Sequence, residues 1–268
     1  MRTPGPSPGR PEVSATSPRV LARVTAVEAR LALRDPATVF FALLFPAVLL
    51  TVLGLATPSG SAPYDPSDPL LATISGITGY TPIVLTLAVG TVALSSYPTV
   101  VATYRGQGVL RRLSTTPLPP SRLLLAQIVV NVAALLLAAV LTLTLGMLVV
   151  DVSAPERPGV VLAAFLLTAA STFGLGSLVA ARAPTAGAAN GIGMTLYVVS
   201  LFFAGVWLPL PIMPEAVQRI AAWTPLGAGS QAMLAGWVGD GVPVRELLVM
   251  AGWTVVLVPV AARVFRWR

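Results

Sequence analysis

The sequence lacks three residue types: its 268 residues include no cysteine, no histidine and no lysine, so all 17 basic residues are arginine. Without cysteine the chain has no disulfides and no thiolate metal ligands. Without histidine it lacks the commonest general base and the commonest metal ligand. A Walker-type phosphate-binding loop requires a lysine, so this chain cannot hydrolyse ATP by that route.

Charge of either sign is also scarce, because charged residues make up 10% of the chain against about 25% in an average soluble domain. Hydrophobic residues make up 55% and the mean hydropathy is +0.83. Folding such a chain in water would expose more apolar surface than soluble monomers tolerate. The composition therefore excludes a soluble globular, disordered or fibrous protein and predicts an all-α integral membrane protein.

The charges fall in clusters that are separated by long neutral runs. A membrane-spanning helix needs roughly 20 apolar residues. The neutral runs predict six transmembrane helices, at 37–57, 77–103, 123–150, 159–181, 187–206 and 244–263. The second and third runs are longer than a bilayer requires, so these helices must tilt or kink. Pro82 and Pro98 are the candidate kink sites in the second helix.

The stretch 207–240 differs from the six runs because Pro209, Pro211, Pro214 and Pro225 interrupt it. Irregular backbone cannot face lipid at membrane depth. We therefore interpret the stretch as an extracellular re-entrant or interfacial helix pair before the last span. The alternative is a seventh span around 216–238, which would place the two termini on opposite sides of the membrane.

Arginine placement predicts the orientation, since cytoplasmic loops carry an excess of basic residues. With the N-terminus inside, the outer segments keep only Arg157, Arg219 and Arg245, and the other 14 of the 17 arginines lie inside. We therefore expect a multi-pass protein of the cell membrane with cytoplasmic N- and C-termini. The same placement explains the basic composition without a nucleic-acid partner.

Two segments precede the first span. Residues 1–17, rich in Pro, Ser and Gly, are predicted to form a disordered tail. Residues 18–34 are predicted to form an interfacial amphipathic helix, because one apolar face and one basic arc recur at helical spacing. The apolar face comprises Val20, Val24, Val27 and Leu31, and the basic arc comprises Arg19, Arg23, Arg30 and Arg34. The alternative is a basic flank that serves only to orient the first span.

The loop between the second and third spans, from Tyr104 to Arg122, has the features of a short docking helix. Gly106 and Gly108 loosen the end of the incoming helix, and a prolyl run from Pro117 to Pro120 ends the segment. Between them, apolar Val109, Leu110 and Leu113 alternate with Arg111 and Arg112 over one to two helical turns. Such a helix is suited to dock on another protein, although a solvated positive-inside loop has the same composition.

The run GVLRRLSTTP, Gly108 to Pro117, followed by a leucine-rich span resembles the coupling-helix region of type-2 ABC exporter permeases. That family includes antibiotic-resistance permeases and permeases that export polysaccharide or lipid. The resemblance extends to Leu33-Arg34-Asp35-Pro36 at the end of the basic helix, to the six spans, and to GVWLPLPIMPEAVQRIAAWTPLGAGSQAM at 205–233. One departure is that Gly106 and Gln107 stand where family members commonly carry acidic residues.

The resemblance implies that 18–268 form a transmembrane permease domain whose cytoplasmic coupling helix docks on a separate ABC ATPase subunit. The implied docking residues are Gly108, Leu110, Arg111, Leu113, Thr116 and Pro117. ATP and Mg²⁺ would bind to the partner, so we expect no cofactor and no catalytic or metal-binding residue in this chain. A second permease copy, in a homodimer or a heterodimer, would complete an exporter used for efflux, for example in antibiotic resistance.

Other mechanisms are constrained by the content of the spans. None of the six predicted spans holds an ionisable residue near its middle, whereas ion-coupled carriers place such groups there. An intramembrane enzyme would need a catalytic constellation that the spans do not supply. An ion-coupled secondary carrier or a channel stays the alternative to the exporter subunit.

Polar residues within the spans are the candidates for the substrate pathway. They are Asn131, Asn190, Thr195, Tyr197 and Ser200. The competing interpretation is that small and polar residues serve helix–helix packing in membranes. We expect that packing role for the glycines Gly174, Gly176, Gly187, Gly191 and Gly193.

Overall fold

The computed structural model describes residues 18–109 and 120–264, and these residues fold into helices joined by turns. The first helix is α1 (Pro18–Leu33). Six further helices are long and apolar enough to cross a membrane: α2 (Pro36–Ala56), α3 (Gly76–Gly106), α4 (Pro120–Val149), α5 (Pro158–Arg182), α6 (Ala186–Ala204) and α9 (Val244–Val264). Two shorter helices, α7 (Glu215–Ala221) and α8 (Pro225–Val238), precede α9. The prediction of an all-helical protein with six spans is confirmed. Residues 1–17, the predicted disordered tail, lie outside the described residues.

Short 3₁₀ turns at Pro58–Ser61, Leu71–Thr73 and Leu210–Ile212 lie in the connections. Within the described ranges the β structure amounts to an isolated bridge between Pro63 and Ser75. It closes the loop that joins α2 to α3.

Side-chain caps start several of these helices. Asp35 accepts hydrogen bonds from the Ala37 amide at 3.1 Å and from the Thr38 hydroxyl at 2.6 Å. Pro36 then occupies the first helical position of α2, where a missing N–H costs nothing. Ser75 caps α3 and Thr185 caps α6 in the same way. The break between α1 and α2 thus consists of two residues, Arg34 and the cap Asp35.

The helix α3 forms the centre of the protein. Within the most hydrophobic window of each helix, 89% of α3 residues are buried, against 56% for α5, 22% for α2 and α4, and 17% for α6 and α9. The helices α5 and α6 pack against α3, and α8 and α9 pack against α5. A helix that is apolar on all sides is typical of such a central position.

The middle of α3 contains a π-helical turn at Thr91–Ser96, which ends two residues before Pro98. Proline has no N–H, so the usual acceptor four residues earlier, the carbonyl of Leu94, receives no helical bond from it. A π turn is one way in which a helix absorbs such a break. The irregularity therefore coincides with Pro98, one of the two predicted kink sites, whereas the helix Gly76–Gly90 continues through Pro82.

The glycines of α5 and α6 divide into two groups. At Gly174, Gly176 and Gly193 an added Cβ would lie 2.8 Å or less from an atom of a neighbouring helix, so their predicted packing role is confirmed. At Gly191 an added Cβ would meet nothing within 4 Å, and at Gly187 it would meet only the Thr185 hydroxyl at 3.9 Å. The packing role expected for Gly187 and Gly191 is therefore not seen within one copy of the chain.

The region 207–240 forms the turn at Leu210–Ile212 and the two short helices α7 and α8. The helix α7 ends at Ala221, and α8 begins at Pro225. The side chain of Thr224 caps the start of α8. With 7 and 14 residues, neither helix reaches the roughly 20 residues of a span. The alternative of a seventh span around 216–238 is thus not formed.

Candidate functional site

The helix α3 ends where the predicted docking segment begins. Gln107 follows its last residue, and Gly108 adopts φ +70°, a left-handed conformation that favours glycine. The other predicted docking residues, Leu110, Arg111, Leu113, Thr116 and Pro117, lie outside the described residues. The next helix, α4, starts at Pro120. We refer to residues 107–119 as the connecting segment.

Arg105, two residues before the connecting segment, binds the C-terminal end of α5. Its guanidinium donates to the carbonyl of Ala180 at 3.2 Å and to the carbonyl of Ala183. The last carbonyls of a helix lack intrahelical donors and carry a partial negative charge. Arg105 therefore supplies both hydrogen bonds and opposite charge, and it fixes the end of α3 to the end of α5.

Glu28 forms a second link at this end of the molecule. Its Oε2 atom accepts a 2.8 Å hydrogen bond from the Tyr104 hydroxyl of α3 and another from the Gln127 side-chain amide of α4. Glu28 and Gln127 are both buried, each with 7% of its surface exposed. Burial raises the pKa of Glu28, and the hydrogen bond from Tyr104 partly opposes this shift.

This cluster of Glu28, Tyr104 and Gln127 is not predicted from the sequence. A signal was present, because Glu28 is the one acidic residue in α1 among several arginines. The spacing of residues along the chain, however, does not show that Tyr104 and Gln127 meet it from two other helices.

The apolar face predicted for α1 is divided in the structure. Val20 and Val24 are half-buried, whereas Val27 and Leu31 are 52% and 47% exposed. The reason is that α1 packs against α4 through the side that carries Glu28, which turns Val27 and Leu31 outward. Arg23, Arg30 and Arg34 are exposed as well; the side chain of Arg19 lies outside the described residues.

The candidate pathway residues occupy two helices. Asn131 on α4 is half-buried and donates to the Gln127 carbonyl at 2.8 Å. On α6, Asn190 and Thr195 are exposed, and the Thr195 hydroxyl donates to the Gly191 carbonyl at 2.9 Å.

Tyr197 and Ser200 lie further along α6, and both are half-buried. The Tyr197 hydroxyl shares a 2.8 Å hydrogen bond with Thr91, in the π turn of α3. The helix α4 packs mainly against α1 and α2, whereas α6 packs against α3 and α8. One copy of the chain therefore does not gather the five pathway candidates into a single pocket.

A cavity of about 450 Å³ lies near the start of α3, at the end opposite Glu28. Gly79 lines the cavity, and the 25 residues from Gly79 to Tyr104 span about 37 Å at 1.5 Å per residue. Its polar lining includes Tyr64, Asp65, Asp68, Gln218 and Gln231. Burial, with smaller contributions from Tyr80 and Asp65, raises the pKa of Tyr64 to about 12, so its phenol is neutral at physiological pH.

These features define a multi-pass helical membrane protein whose central helix runs between a polar cavity and the connecting segment. The chain belongs to the ABC-2 type transporter family, because the family model of that description matches residues 20–237. The match extends from α1 to the end of α8 and includes the connecting segment. The resemblance stated from the sequence is thereby confirmed, and the family assignment makes the chain a transporter permease.

A curated relative agrees with this assignment. The chain is 27% identical over 136 residues to a protein of Bacillus subtilis (strain 168) named "Putative transport permease YvfS". The matched part is 49% of this chain and 55% of the relative, so the chain spans about half the length of the relative.

Proposed function

We propose that this chain is the membrane subunit of an ATP-driven exporter, which forms the substrate pathway and is driven by a separate ABC ATPase subunit. One observation carries the proposal: α3, the most deeply buried span, runs from the polar cavity directly into the connecting segment. Force applied at that segment would act on the helix with the most neighbours. The ATPase subunit shifts the permease between two conformations only if it binds one of them better.

The proposed docking surface is the coupling helix formed by Gly108, Leu110, Arg111, Leu113, Thr116 and Pro117. ATP and Mg²⁺ bind to the ATPase partner, since this chain has no lysine for a Walker-type loop. Arg105 and Glu28 support the docking role, because they anchor the helices on either side of the segment to α5 and α1.

The proposed orientation places both termini and the connecting segment in the cytoplasm, following the arginine distribution. In this orientation α1 lies in the inner interface, with Val27 and Leu31 toward the acyl chains and Arg23, Arg30 and Arg34 toward the phosphates. The pair α7 and α8 is then a re-entrant element on the outer side. The burial of α8 supports this placement. Most residues of α8 are covered by the rest of the protein, and backbone that does not span the membrane is tolerated at membrane depth only where protein covers it.

The exposed face of α6 is proposed to pack against a second permease copy. Gly187 and Gly191 leave open space on this helix, and Asn190 beside them is exposed. Small residues allow close approach of helices in membranes, and a polar amide gains a partner there. Asn190 and Thr195 would then line the pathway between two copies, with Tyr197, Ser200 and Asn131 deeper in each copy.

The test of the proposed function is ATP turnover by the complex of this chain with its ATPase subunit. Leu110→Asp together with Leu113→Asp is expected to abolish permease-stimulated turnover while membrane insertion stays normal. The matched control, Leu110→Met with Leu113→Met, keeps both side chains apolar and is expected to retain stimulation. Unchanged turnover in the aspartate variant, or solute transport by the purified chain without an ATPase subunit, would refute the proposal.

A further inference from the structure

Glu28 connects α1 to both helices that border the connecting segment. Tyr104 lies two residues before the end of α3, and Gln127 lies seven residues after the start of α4. Both donate to the same carboxylate oxygen, Oε2. One atom of α1 therefore joins the last turn before the segment to an early turn after it.

The two bonds require an acceptor oxygen and do not require a charge. A glutamine side chain has a carbonyl oxygen that can accept both hydrogen bonds in the same place. Alanine would remove the acceptor and leave the Tyr104 hydroxyl and the buried Gln127 amide without it, which is unfavourable for buried donors. The glutamine and alanine variants thus separate the effect of the charge from the effect of the hydrogen bonds.

The hydrogen bond to Tyr104 reaches a helix that α1 otherwise contacts little. The helix packing of α1 is mainly against α4 and the start of α2. Only Arg34 and Asp35 separate α1 from α2. A displacement of α1 is therefore passed directly to α2, the first span.

We propose that Glu28 is a positioning residue that makes α1 move together with the connecting segment when the ATPase subunit binds ATP. This inference rests on the proposed function. The segment displaces the end of α3, the Tyr104–Glu28–Gln127 hydrogen bonds carry α1 with it, and α1 pulls on α2. A displacement of the connecting segment then moves two spans, α2 and α3, instead of α3 alone.

The experiment measures the movement of two positions separately, in the complex of permease and ATPase subunits in lipid nanodiscs. The chain has no native cysteine, so one introduced cysteine places one spin label on each copy. Ala22→Cys labels an exposed position of α1, and Gly106→Cys labels the end of α3, where an added Cβ meets nothing within 4 Å. Distances between the labels of the two copies are measured by electron paramagnetic resonance, without nucleotide and after trapping with ATP and vanadate.

In the wild type and in Glu28→Gln, both labels are expected to shift on trapping. In Glu28→Ala the Gly106 label is expected to shift and the Ala22 label to lose its shift. Ala26→Ser, at an exposed position of α1, is the control and is expected to leave both shifts intact. If Glu28 only stabilised the fold, Glu28→Ala would lower yield or thermal stability, and the two labels would still respond to trapping in the same way.

Persistence of the Ala22 shift in Glu28→Ala would overturn the role of Glu28. If that variant fails to assemble, Tyr104→Phe decides, because it removes the hydroxyl that joins α3 to Glu28 and leaves the side chains of Glu28 and Gln127 in place. Loss of the Ala22 shift supports the role and a full shift overturns it. Absence of any shift at either label in the wild type would instead overturn the proposed ATP-driven function, and the inference with it.

Discussion

The carbonyl oxygen of Leu94 lies directly against Gly193, so that a Cβ on this glycine would be 2.0 Å from the oxygen. Leu94 belongs to the π turn of α3, four residues before Pro98, and Gly193 lies on α6. The carbonyl four residues before the proline, where no N–H is available from Pro98, is thus approached closely by the backbone of a neighbouring span. Gly176 on α5 covers the Ala93 carbonyl in the same way, with a corresponding distance of 1.9 Å.

Gly193→Ala is expected to destabilise the protein, because the new methyl group collides with backbone, which cannot move aside as a side chain can. Overpacking of this kind costs about 1–3 kcal/mol. Gly252→Ala is the matched control, since a Cβ at Gly252 on α9 meets nothing within 4 Å. Thermal unfolding in detergent should show a lowered midpoint for the first variant and an unchanged or slightly raised one for the second. Equal midpoints would contradict the close contact.

Arg105→Gln is expected to destabilise the junction of α3 and α5, because the carbonyls of Ala180 and Ala183 lose a charged donor. A cation that bonds a helix C-terminus contributes about 1 kcal/mol, and up to about 2 kcal/mol where the site is partly buried. Arg182→Gln removes an exposed arginine from the same helix end and should change stability by less than about 0.5 kcal/mol. The measurement is the unfolding midpoint of each variant, and indistinguishable midpoints would argue against the capping role.

Single cysteines on α6 are expected to form disulfide-linked dimers if α6 faces the second copy. Gly191→Cys and Thr195→Cys lie on the exposed face of α6, and no native cysteine competes. Val255→Cys on α9 is the control, because Val255 is 72% exposed and is expected to face lipid. Oxidation in membranes followed by non-reducing electrophoresis gives the readout. Cross-linking at 255 but not at 191 or 195 would move the proposed interface from α6 to α9.

The stability of the wild type relative to Glu28→Gln is expected to fall as the pH rises. The folded-state pKa of Glu28 is raised above the ordinary value of 4.5 because the carboxyl is buried. The protonated carboxyl therefore contributes stability at and below pH 4.5, and this contribution is lost as the pH rises through the folded-state value. Of the two side chains that donate to Glu28, Gln127 does not ionise, and the Tyr104 phenol titrates only in the alkaline range. Unfolding midpoints between pH 4.5 and pH 8 check the prediction; a difference that does not vary with pH would exclude the titration of Glu28.

Much of the architecture is readable from local sequence. The neutral runs between charge clusters correctly predict six spans, since a membrane helix must avoid charge over its full apolar length. The starts of α2 and α8 are set locally as well, because the caps Asp35 and Thr224 and the fixed φ of Pro36 and Pro225 act within a few residues. The resemblance to the permease family also rests on short runs of consecutive residues, such as GVLRRLSTTP at 108–117.

The candidate site is only partly predictable, because its side chains meet through long-range packing. Gly187, Gly191 and Gly193 lie on the same helix, α6, yet of these three only Gly193 contacts another span of the same chain. The helical pattern of α1 favours one apolar face, but packing on α4 divides it and buries Glu28 instead. The five pathway candidates likewise share a polar character and do not share a pocket within one copy.

The sequence by itself determined that this protein is a six-span helical membrane protein without the lysine of a Walker-type loop, because composition and the spacing of charges are local properties of the chain; its resemblance to exporter permeases rests on short runs of consecutive residues. The tertiary structure alone decided which helix is central, which glycines are closely packed, and that Glu28 bonds to Tyr104 and Gln127. Those outcomes depend on which helix faces meet, and residues separated by 76 and 99 positions along the chain meet only after folding.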